Sequence, residues 1–424
     1  MASKKRAVLM ICDGHRDDFV SPEFCPEICK VVTGGRRFAN HSAIFPSATR
    51  ASAASIATGC WPATHGLHGN SMAFDEGAGP VVHDVGKPEF LDIMRRATGR
   101  TLDVPTMAER LTDHGGAIIM SNVSPGAAYF NDPDGHGHVY HRAGSYGPGR
   151  VEISPETAPP VSGDAAGDIA LTDRFCDQVL MQQRAALSVL WLCEPDTSMH
   201  ADVLGSDRHL QGIKSADACV AKVAAAVESL RGEGEDVLFV LGSDHGQETV
   251  ADAVPVAALM VAAGLKASLD STDVAIAPQG AGAHLYLSDA AWDRLPAIRN
   301  WLTIQPWCGP VFVGAELRAI GHRPGGVHAL SFAMRHQDKP NANGALGLID
   351  ICTSEEKPGK PPGHGSHGGL GAYETRPFLT ISGGGFAQGT VEHGQSRLID
   401  IAPTILRHLD MPRDGIDGLA LPQF

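Results

Sequence analysis

The sequence predicts an α/β protein, a three-layer αβα sandwich with a mostly parallel central sheet and an inserted α+β cap. Apolar runs of strand length alternate with longer helical segments, a rhythm that indicates a parallel sheet with helices on both faces. Several of the apolar runs stop at an acidic residue, such as Asp13, Asp196 and Asp244. Since the carboxyl ends of parallel strands share one edge, where open α/β sheets bind ligands, these residues are expected to converge there.

The elements are predicted in chain order. They are a strand over 7–12, helices over 50–58 and 105–115, a strand over 117–120, a helix over 169–186, a strand over 188–193, a helix over 206–230, strands over 236–241 and 377–382, and a helix over 396–409. The strand predictions rest on apolar runs of about four to eight residues. The first helix is expected to close at Gly59, because glycine adopts the left-handed C-cap conformation without strain.

Two stretches interrupt the alternation of strands and helices. Residues 125–165 are rich in Gly, Pro, His and Tyr and have no periodicity, which predicts an irregular insertion. Residues 254–343 change in character, contain a β-α-β pattern and are interpreted as an inserted cap subdomain. The predicted domains are therefore a core of residues 1–253 and 344–424 and a cap of residues 254–343. The polar stretch 356–369, rich in Gly, Pro and Lys, carries two histidines.

Composition narrows the class of protein. The chain has 424 residues, of which 43% are hydrophobic and 19% are charged, as in ordinary globular proteins. The formal net charge of -14 argues against a nucleic-acid polymer as partner, although a pair of metal ions can dominate the field at its own site. No apolar stretch reaches the roughly 18 residues that a membrane span needs.

The cellular location is predicted from the N-terminus and the cysteines. Residues 1–6 are basic, but the apolar run that follows is too short for the core of a signal peptide. The nine cysteines contain no CxxC pair, which favours free thiols in a reducing compartment over disulfides or a thiolate zinc site. We therefore expect a cytoplasmic protein.

Six side chains near the ends of apolar runs form a candidate metal-ligand set. They are Asp13, Asp196, His200, Asp244, His245 and His367. Histidine nitrogen and carboxylate oxygen are common zinc ligands, and Asp196 and His200 are four residues apart, so one turn can direct both at one ion. Each residue alone has an ordinary explanation, such as a helix N-cap. Together they predict a site for two divalent metals, which could clamp the attacking and leaving oxygens of a displacement at phosphorus.

Thr49 is the candidate nucleophile. It stands where the predicted helix over 50–58 begins, and the dipole and free N–H groups of a helix N-terminus favour an oxyanion. Metal coordination would lower the pKa of the hydroxyl and supply an alkoxide for covalent catalysis. Thr49 could instead be only the N-cap of the helix, and Ser47 and Ser52 are the other available hydroxyls. Arg50 either pairs with an anionic group of the substrate or is a surface arginine.

Several segments of the chain carry a family resemblance. They are Phe45-Pro-Ser-Ala-Thr49 with Ala57-Thr-Gly59, Pro62 and His65-Gly66, then Gly69-Asn70-Ser-Met72, Glu194-Pro-Asp196-Thr-Ser-Met-His200, Ser243-Asp-His-Gly246, Ser366-His-Gly-Gly369, and the helical segment 398–406. Together they resemble the alkaline phosphatase superfamily, in its nucleotide pyrophosphatase/phosphodiesterase and phosphonoacetate hydrolase branch. The resemblance covers about residues 5–125, 165–250 and 345–420.

The resemblance implies two zinc sites and a role for one asparagine. One site would consist of Asp196, His200 and His367, and the other of Asp13, Asp244, His245 and the Thr49 oxygen. Asn70 would donate to a non-bridging phosphoryl oxygen, as in an oxyanion hole. His364 is the rival of His367 as a ligand, or a substrate contact. The histidine-rich loop 134–141 is interpreted as a solvated loop, with a third metal site or a substrate contact as alternatives.

Two departures from related families bear on the substrate. The segment Cys60-Trp-Pro-Ala-Thr64 lacks the arginine of the sulfatase CxPxR motif, which argues against a sulfatase. Phosphonoacetate hydrolases are expected to have a lysine pair that binds the substrate carboxylate, and the corresponding stretch here, 120–124, has no lysine. The Glu194-Pro195 pair before the metal aspartate is closer to the phosphodiesterase pattern.

The function predicted from the sequence is a two-zinc hydrolase of phosphoric esters, first of all phosphodiesters or nucleotides, that works through a phosphothreonine at Thr49. Alternatives are a C–P bond hydrolase like phosphonoacetate hydrolase, a phosphomonoesterase and, from another class, a ligand-binding pseudoenzyme. A metal-dependent mutase usually has a serine nucleophile, so the threonine argues against it. The expected partner is a small phosphoester or phosphonate, without a nucleic-acid polymer or a membrane, and a homodimer is left open.

Overall fold

The structure, a computed structural model, describes residues 4–354 and 358–424. The basic N-terminal segment 1–6 and the polar stretch 356–369, which both enter the sequence predictions, therefore lie partly outside the described residues.

The strands, in chain order, are β1 (Lys5–Cys12), β2 (Arg36–Ser42), β3 (Ser71–Asp75), β4 (Pro80–Asp84), β5 (Ala117–Ser121), β6 (His138–Tyr140), β7 (Ser145–Gly147), β8 (Val151–Ile153), β9 (Leu187–Leu192), β10 (Asp236–Gly242), β11 (Glu248–Val254), β12 (Val274–Pro278), β13 (Gly282–Leu287), β14 (Cys308–Val313), β15 (His328–Met334), β16 (His336–Pro340), β17 (Leu346–Cys352), β18 (Gly365–Ser366), β19 (Leu379–Ser382) and β20 (Thr390–Arg397).

The α-helices are α1 (Pro26–Gly34), α2 (Thr49–Thr58), α3 (Pro62–His65), α4 (Phe90–Thr98), α5 (Met107–Arg110), α6 (Pro125–Tyr129), α7 (Ala165–Arg174), α8 (Asp196–Ala201), α9 (Asp207–Gly232), α10 (Val256–Ala262), α11 (Leu295–Thr303) and α12 (Ile401–His408). A π-helix, Phe175–Gln183, continues α7. Short 3-10 turns cover Asp17–Phe19, Pro148–Arg150, Asp289–Arg294, Gly314–Ile320 and Leu398–Asp400.

The central sheet has ten strands in the order β20-β2-β19-β10-β1-β9-β5-β6-β7-β8. Its middle is parallel, because β1 pairs in parallel with β10 and β9, and β5 pairs in parallel with β9 and β6. Antiparallel pairs lie toward the two edges, where β19 joins β10 to β2 and where β7 lies between β6 and β8. The predicted, mostly parallel sheet is confirmed, and β1, β9 and β10 end at the same edge.

Helices cover both faces of this sheet, which confirms the predicted three-layer αβα sandwich. Successive side chains of a strand point to opposite faces. In β1, Leu9 and Ile11 are buried in one cluster with residues of α2, α4, α6 and α12. The alternating residues Val8 and Met10 are buried in a second cluster with residues of α1, α7 and α9. The site at the strand ends is therefore built on a strand that is packed on both sides.

Residues 254–343 contain a four-stranded antiparallel sheet in the order β12-β13-β15-β14, together with α10 and α11. A further sheet, β16-β17-β11-β18, connects this region to the rest of the chain. Its strand β16 belongs to the predicted cap and pairs with β17 of the predicted core. The division into core and cap stays a prediction. The insertion 125–165 contains α6 and the three short strands β6 to β8 at one edge of the central sheet.

A buried cluster of histidines joins residues 254–343 to the segment around the nucleophile. His284 Nε2 lies 3.0 Å from the carbonyl oxygen of His68, and His322 Nε2 lies 2.9 Å from the carbonyl oxygen of Phe45. The rings of His284 and His322 are 4.8 Å apart between centroids. These contacts attach the region to the chain on both sides of Thr49, at Phe45 before it and at His68 after it.

In the described ranges, no helix is both long and apolar enough to cross a membrane. The nine cysteines are all free.

Candidate active site

All six predicted ligands and Thr49 meet at the edge where the parallel strands end. Asp13 directly follows β1, and Asp244 and His245 follow β10 after a single serine. Asp196 begins α8, shortly after β9. Because β9, β1 and β10 are neighbours in the sheet, residues that are far apart in the sequence become neighbours in space.

One group of ligand atoms surrounds His245. Those of Asp13, Asp244 and His245 lie within 4.8 Å of one another. His245 Nε2 is 3.5 Å from Asp13 Oδ1, 3.3 Å from Asp244 Oδ2 and 3.1 Å from Thr49 Oγ1. The side chains of Asp13, Asp244 and His245 are at most 2% exposed. Although Asp244 and His245 are adjacent in the chain, both face this site.

A second group continues from the first. Ligand atoms of Asp196, His245 and His367 lie within 4.8 Å of one another. Asp196 Oδ1 is 3.8 Å from His367 Nε2 and 3.5 Å from His200 Nε2. His245 belongs to both groups, whereas the sequence prediction assigns it to the Asp13 site alone. The predicted ligand His200 belongs to neither group and approaches the cluster through Asp196. The structure thus has one continuous cluster, and the assignment of three ligands to each metal stays a prediction.

The three histidines are oriented by the backbone. In each of them Nδ1 lies within hydrogen-bond distance of a carbonyl oxygen: His245 with Gly246 at 2.9 Å, His367 with Ser47 at 2.7 Å and His200 with Gly365 at 2.9 Å. A ring that donates from Nδ1 has its free electron pair on Nε2. A hydrogen bond from Nδ1 to a carbonyl oxygen commonly fixes the tautomer of a metal-binding histidine. Here all three Nε2 atoms face the cluster.

The carboxylates are oriented in the same manner. Trp191 Nε1 donates to Asp13 Oδ2 at 3.0 Å, and the backbone N–H of Gly14 donates to Asp244 Oδ1 at 3.2 Å. The chain passes close to Asp196 at Gly14, where φ is +69° and a Cβ atom would lie 3.0 Å from the Asp196 Cβ. A larger residue at position 14 would therefore disturb the approach of these carboxylates.

The remaining oxygens of two carboxylates fit a cation. Asp13 Oδ1 and Asp244 Oδ2 are buried and have no hydrogen-bond partner within the described part of the chain. Burial raises the pKa of Asp13 well above its usual value, and the charges of Asp244 and Asp196 raise it further. Burial also raises the pKa of Asp244. Divalent metal would satisfy the unpaired oxygens and offset this repulsion, so the donor set fits the expected metal chemistry.

Thr49 is the hydroxyl that lies beside the ligand cluster. The N-cap of α2 is Ala48, and Thr49 is the first residue of the helix, so the alternative that Thr49 is the N-cap is wrong. Ser47 Oγ is engaged by Glu374 Oε2 at 2.8 Å. Ser52 lies inside α2 and is fully buried. The contact between Thr49 Oγ1 and His245 Nε2 therefore distinguishes Thr49 from the two serines.

Asn70 is positioned beside the helix that begins with the nucleophile. Its Oδ1 accepts a hydrogen bond from the backbone N–H of Arg50 at 3.2 Å, and Gln279 Oε1 accepts from the backbone N–H of Asn70 at 2.6 Å. Since Oδ1 is engaged, Nδ2 is the group left to donate. Asn70 lines a cleft of about 160 Å³ together with Arg50, His200, His367 and Gln279.

Arg50 is half-buried, so it is not the surface arginine that the sequence leaves open. Its Nε donates to Ser124 Oγ at 3.1 Å, and its Nη1 lies 4.0 Å from Asp84 Oδ1. These contacts place the guanidinium at the wall of the cleft. A planar group with several donors is suited to an anionic oxygen of a substrate.

His364 and the histidine-rich loop lie outside both ligand groups of the described residues. His364 Nδ1 is 3.1 Å from the carbonyl oxygen of His200, so it contacts the backbone of a predicted ligand. In the loop, His141 is buried with Nε2 2.9 Å from the carbonyl oxygen of Val123. This contact gives His141 a structural role in a loop that is interpreted from the sequence as solvated.

Sequence reasoning missed three side chains that orient the site. Gln247 Nε2 donates to Asp196 Oδ1, Trp191 donates to Asp13, and Gln279 holds the backbone of Asn70. Gln247 follows the predicted metal segment directly, which was an available signal. Trp191 belongs to an apolar run, and Gln279 lies 209 residues from Asn70, so neither has a local signature.

Glu374 also was not predicted, and it ties the nucleophile segment to the segment that carries His367. Its Oε2 accepts from Ser47 Oγ and from the N–H of Gly369, both at 2.8 Å, and its Oε1 accepts from the N–H of Gly371 at 2.9 Å. Burial, and then the charge of Glu248, raise the pKa of Glu374 to about 8. Three hydrogen-bond donors thus hold the Glu374 carboxyl group at a buried position that disfavours its charged form.

Replacing Glu374 by alanine should lower the free energy of unfolding by about 3 kcal/mol, because three buried donors lose their acceptor. Denaturant unfolding followed by circular dichroism measures this change. Glu228, whose side chain is 68% exposed, supplies the control, and its alanine variant is expected to stay within about 0.5 kcal/mol of the wild type. If the two alanine variants change the free energy of unfolding equally, Glu374 does not stabilise the contact between the Ser47 and Gly369 segments.

The family model makes the chain a phosphoester hydrolase of the alkaline phosphatase superfamily, which confirms the class predicted from the sequence, and the cluster of acidic and histidine side chains is its candidate metal site. The chain belongs to the type I phosphodiesterase / nucleotide pyrophosphatase family, whose model matches residues 7–297. No curated protein sequence matches the chain.

Two solved structures illustrate the likeness of fold. Murine ectonucleotide pyrophosphatase/phosphodiesterase 5, as an inactive variant in complex with AMP, is 15% identical, with a TM-score of 0.66, over 99% of this chain and 97% of that one. Phosphonoacetate hydrolase from Sinorhizobium meliloti, in complex with phosphonoformate, is 16% identical, with a TM-score of 0.67, over 96% of both chains. At these identities the similarity is one of fold.

Proposed function

We propose that this hydrolase uses two zinc ions and cleaves phosphodiesters or nucleotides through a covalent phosphothreonine at Thr49. The observation that carries the proposal is the 3.1 Å contact between Thr49 Oγ1 and His245 Nε2, because His245 belongs to both groups of ligand atoms. A hydroxyl in that position is next to any metal that the cluster holds. The family supports phosphoester hydrolysis as the reaction.

Six side chains would hold the two ions: Asp13, Asp244 and His245 on one side, and Asp196, His200 and His367 on the other. When bound there, zinc supplies Lewis-acid stabilisation of negative charge on oxygen and lowers the pKa of a neighbouring hydroxyl. The choice of zinc over other metals rests on the mixture of imidazole and carboxylate donors.

In the first step, Thr49 Oγ1 loses its proton to solvent and attacks the phosphorus atom. The bond between Oγ1 and phosphorus forms, the bond to the leaving oxygen breaks, and the leaving oxygen takes a proton. Water then attacks the phosphothreonine, and Oγ1 leaves and is reprotonated. The N–H of Arg50 in the first turn of α2 is taken by Asn70 Oδ1, and the other N–H groups at the start of the helix would donate to the phosphoryl oxygens. Asn70 Nδ2 would donate to a non-bridging oxygen.

Replacing Asn70 by alanine should lower kcat by about 10²- to 10³-fold, because the lost donor stabilises charge that develops in the transition state. KM is expected to change much less. Steady-state kinetics with a chromogenic phosphodiester measures both constants. The exposed Asn300 on α11 supplies a control variant that should behave as the wild type. An unchanged kcat for the Asn70 variant would show that Asn70 has no role in the transition state.

The substrate is tested by a panel that contains bis-p-nitrophenyl phosphate, p-nitrophenyl phosphate, nucleotides and phosphonoacetate. The protein is stripped of metal and reloaded with zinc or manganese before each assay. We expect zinc-dependent hydrolysis with diesters or nucleotides as the best substrates. Phosphonoacetate is the second candidate, since a structural neighbour with that activity binds phosphonoformate. Turnover of none of these compounds with any metal would refute the proposed activity.

A cytoplasmic location remains a separate proposal. It is supported by the nine free cysteines, which are typical of proteins in a reducing compartment. Fractionation of the source cells with a cytoplasmic marker tests it.

A further inference from the structure

The described lining of the cleft beside the nucleophile is cationic, although the protein is acidic as a whole. Its lining contains two cationic side chains, Arg50 and Lys360, and among the described residues that line it none is acidic. The complete chain carries a formal net charge of -14. Cationic side chains at the wall of a cleft attract anionic ligands, so Arg50 and Lys360 suit the cleft to an anion.

The two cations differ in their contacts. Arg50 follows Thr49 directly and is oriented by Ser124 and Asp84, which places it at the wall of the cleft next to the proposed nucleophile. Lys360 is half-buried and makes no hydrogen bond or ion pair with any described residue. Lys360 and His200 line the same cleft, so Lys360 lies on the side of the cleft that faces the ligand cluster. Among the described residues its ammonium thus has no partner, and a ligand in the cleft can supply one.

The chain around Lys360 is held against a strand of the core. The preceding residue, Gly359, has a φ of +76°, and a Cβ atom there would lie 2.6 Å from Ile351 Cδ1. Ile351 and Cys352 end β17 and also line the cleft. The close approach at Gly359 therefore fixes the backbone just before Lys360 against β17, in a cleft that Lys360 shares with Ile351 and Cys352.

We infer that Lys360 binds a second anionic group of the substrate, a carboxylate or a phosphate, outside the phosphoryl group that is cleaved. The inference rests on the proposed function and adds a substrate class to it. Arg50 and Asn70 are next to the nucleophile and serve the scissile phosphoryl group, which leaves Lys360 as the partner for a further charge. The preferred substrates are then small molecules with two anionic groups, joined by a part that contacts Pro278 and Ile351.

Direct binding tests this inference without turnover. Isothermal titration calorimetry with the zinc-loaded protein compares methylphosphonate, which has one anionic group, with phosphonoformate and methylenediphosphonate, which add a carboxylate or a second phosphonate. The wild type should bind at least one of the two longer ligands about 10- to 100-fold more tightly than methylphosphonate. Lys360→Ala should abolish that difference, and Lys360→Arg should restore part of it.

The arms of the experiment separate the outcomes. If Lys360→Ala removes the gain in affinity over methylphosphonate only for phosphonoformate, the second anionic group is a carboxylate. If the gain is lost only for methylenediphosphonate, the second group is a phosphate. Lys339→Ala, at an exposed lysine on β16, should leave all three affinities unchanged. If Lys360→Ala weakens all three ligands equally, or none, the inference is wrong. Because the readout is binding, a failure of the proposed hydrolysis would show separately, in the substrate panel.

Discussion

Thr49→Ala is expected to lower kcat by more than about 10⁴-fold and to leave the bound metal largely in place. The substitution removes the atom that attacks phosphorus. Removal of the nucleophile from an enzyme that works through a covalent intermediate lowers kcat by this order of magnitude. The metal should stay because three carboxylates and three imidazoles remain, with their second hydrogen bonds intact. Steady-state kinetics and elemental analysis of the same preparation measure the two quantities.

Matched variants separate the loss of the nucleophile from a disturbance of the fold. Thr49→Ser keeps an attacking hydroxyl and should retain measurable turnover. Ser52→Ala, one turn further along the buried face of α2, should keep kcat within a few-fold of the wild type. Acid quenching of the wild type during turnover, followed by peptide mass spectrometry, should place a phosphate on the peptide that contains Thr49. Near-normal turnover of Thr49→Ala would refute covalent catalysis at this residue.

The location of the candidate site follows from the sequence because strands determine where its residues lie. Asp13 and Asp244 come just after apolar runs of strand length, and parallel strands end at the same edge of a sheet. The spacing of Asp196 and His200 predicted a shared turn, and α8 supplies it. The predicted closure of α2 at Gly59 is confirmed as well, with a φ of +71°.

The parts that could not be predicted depend on side-chain directions or on distant hydrogen bonds. That His245 belongs to both ligand groups is decided by the direction of one imidazole ring, which Gly246 orients. Glu374 has no pattern around it that indicates a contact with Ser47, 327 residues away. The strands β6 to β8 have three residues each, too few for a hydrophobic period to be detected.

Removal of metal should abolish activity and also destabilise the protein. Without a cation, the unpaired oxygens of Asp13 and Asp244 remain buried beside each other and near Asp196, at a cost in desolvation and repulsion. A ligand present at 1,000 times its dissociation constant stabilises the folded state by about 4.1 kcal/mol. Differential scanning calorimetry of stripped and zinc-reloaded protein should therefore show a higher Tm after reloading, together with recovered hydrolysis. If removal of metal by a chelator changes neither the Tm nor the activity, the proposed metal centre is wrong.

In the metal-free protein, replacing Asp13 by asparagine should stabilise the fold instead of destabilising it. The amide oxygen of the variant can still accept from Trp191, but one buried charge is gone, so the metal-free protein should become more stable by about 1–2 kcal/mol. Zinc should no longer raise its Tm to the wild-type extent, and hydrolysis should be lost. Asp168→Asn is the matched control, because Asp168 is equally buried but accepts hydrogen bonds from the N–H groups of Cys193 and Glu194. The Asp168→Asn variant should be less stable than the wild type with and without metal, because protein donors already satisfy the Asp168 carboxylate. The carboxylates of the cluster, in contrast, require a cation.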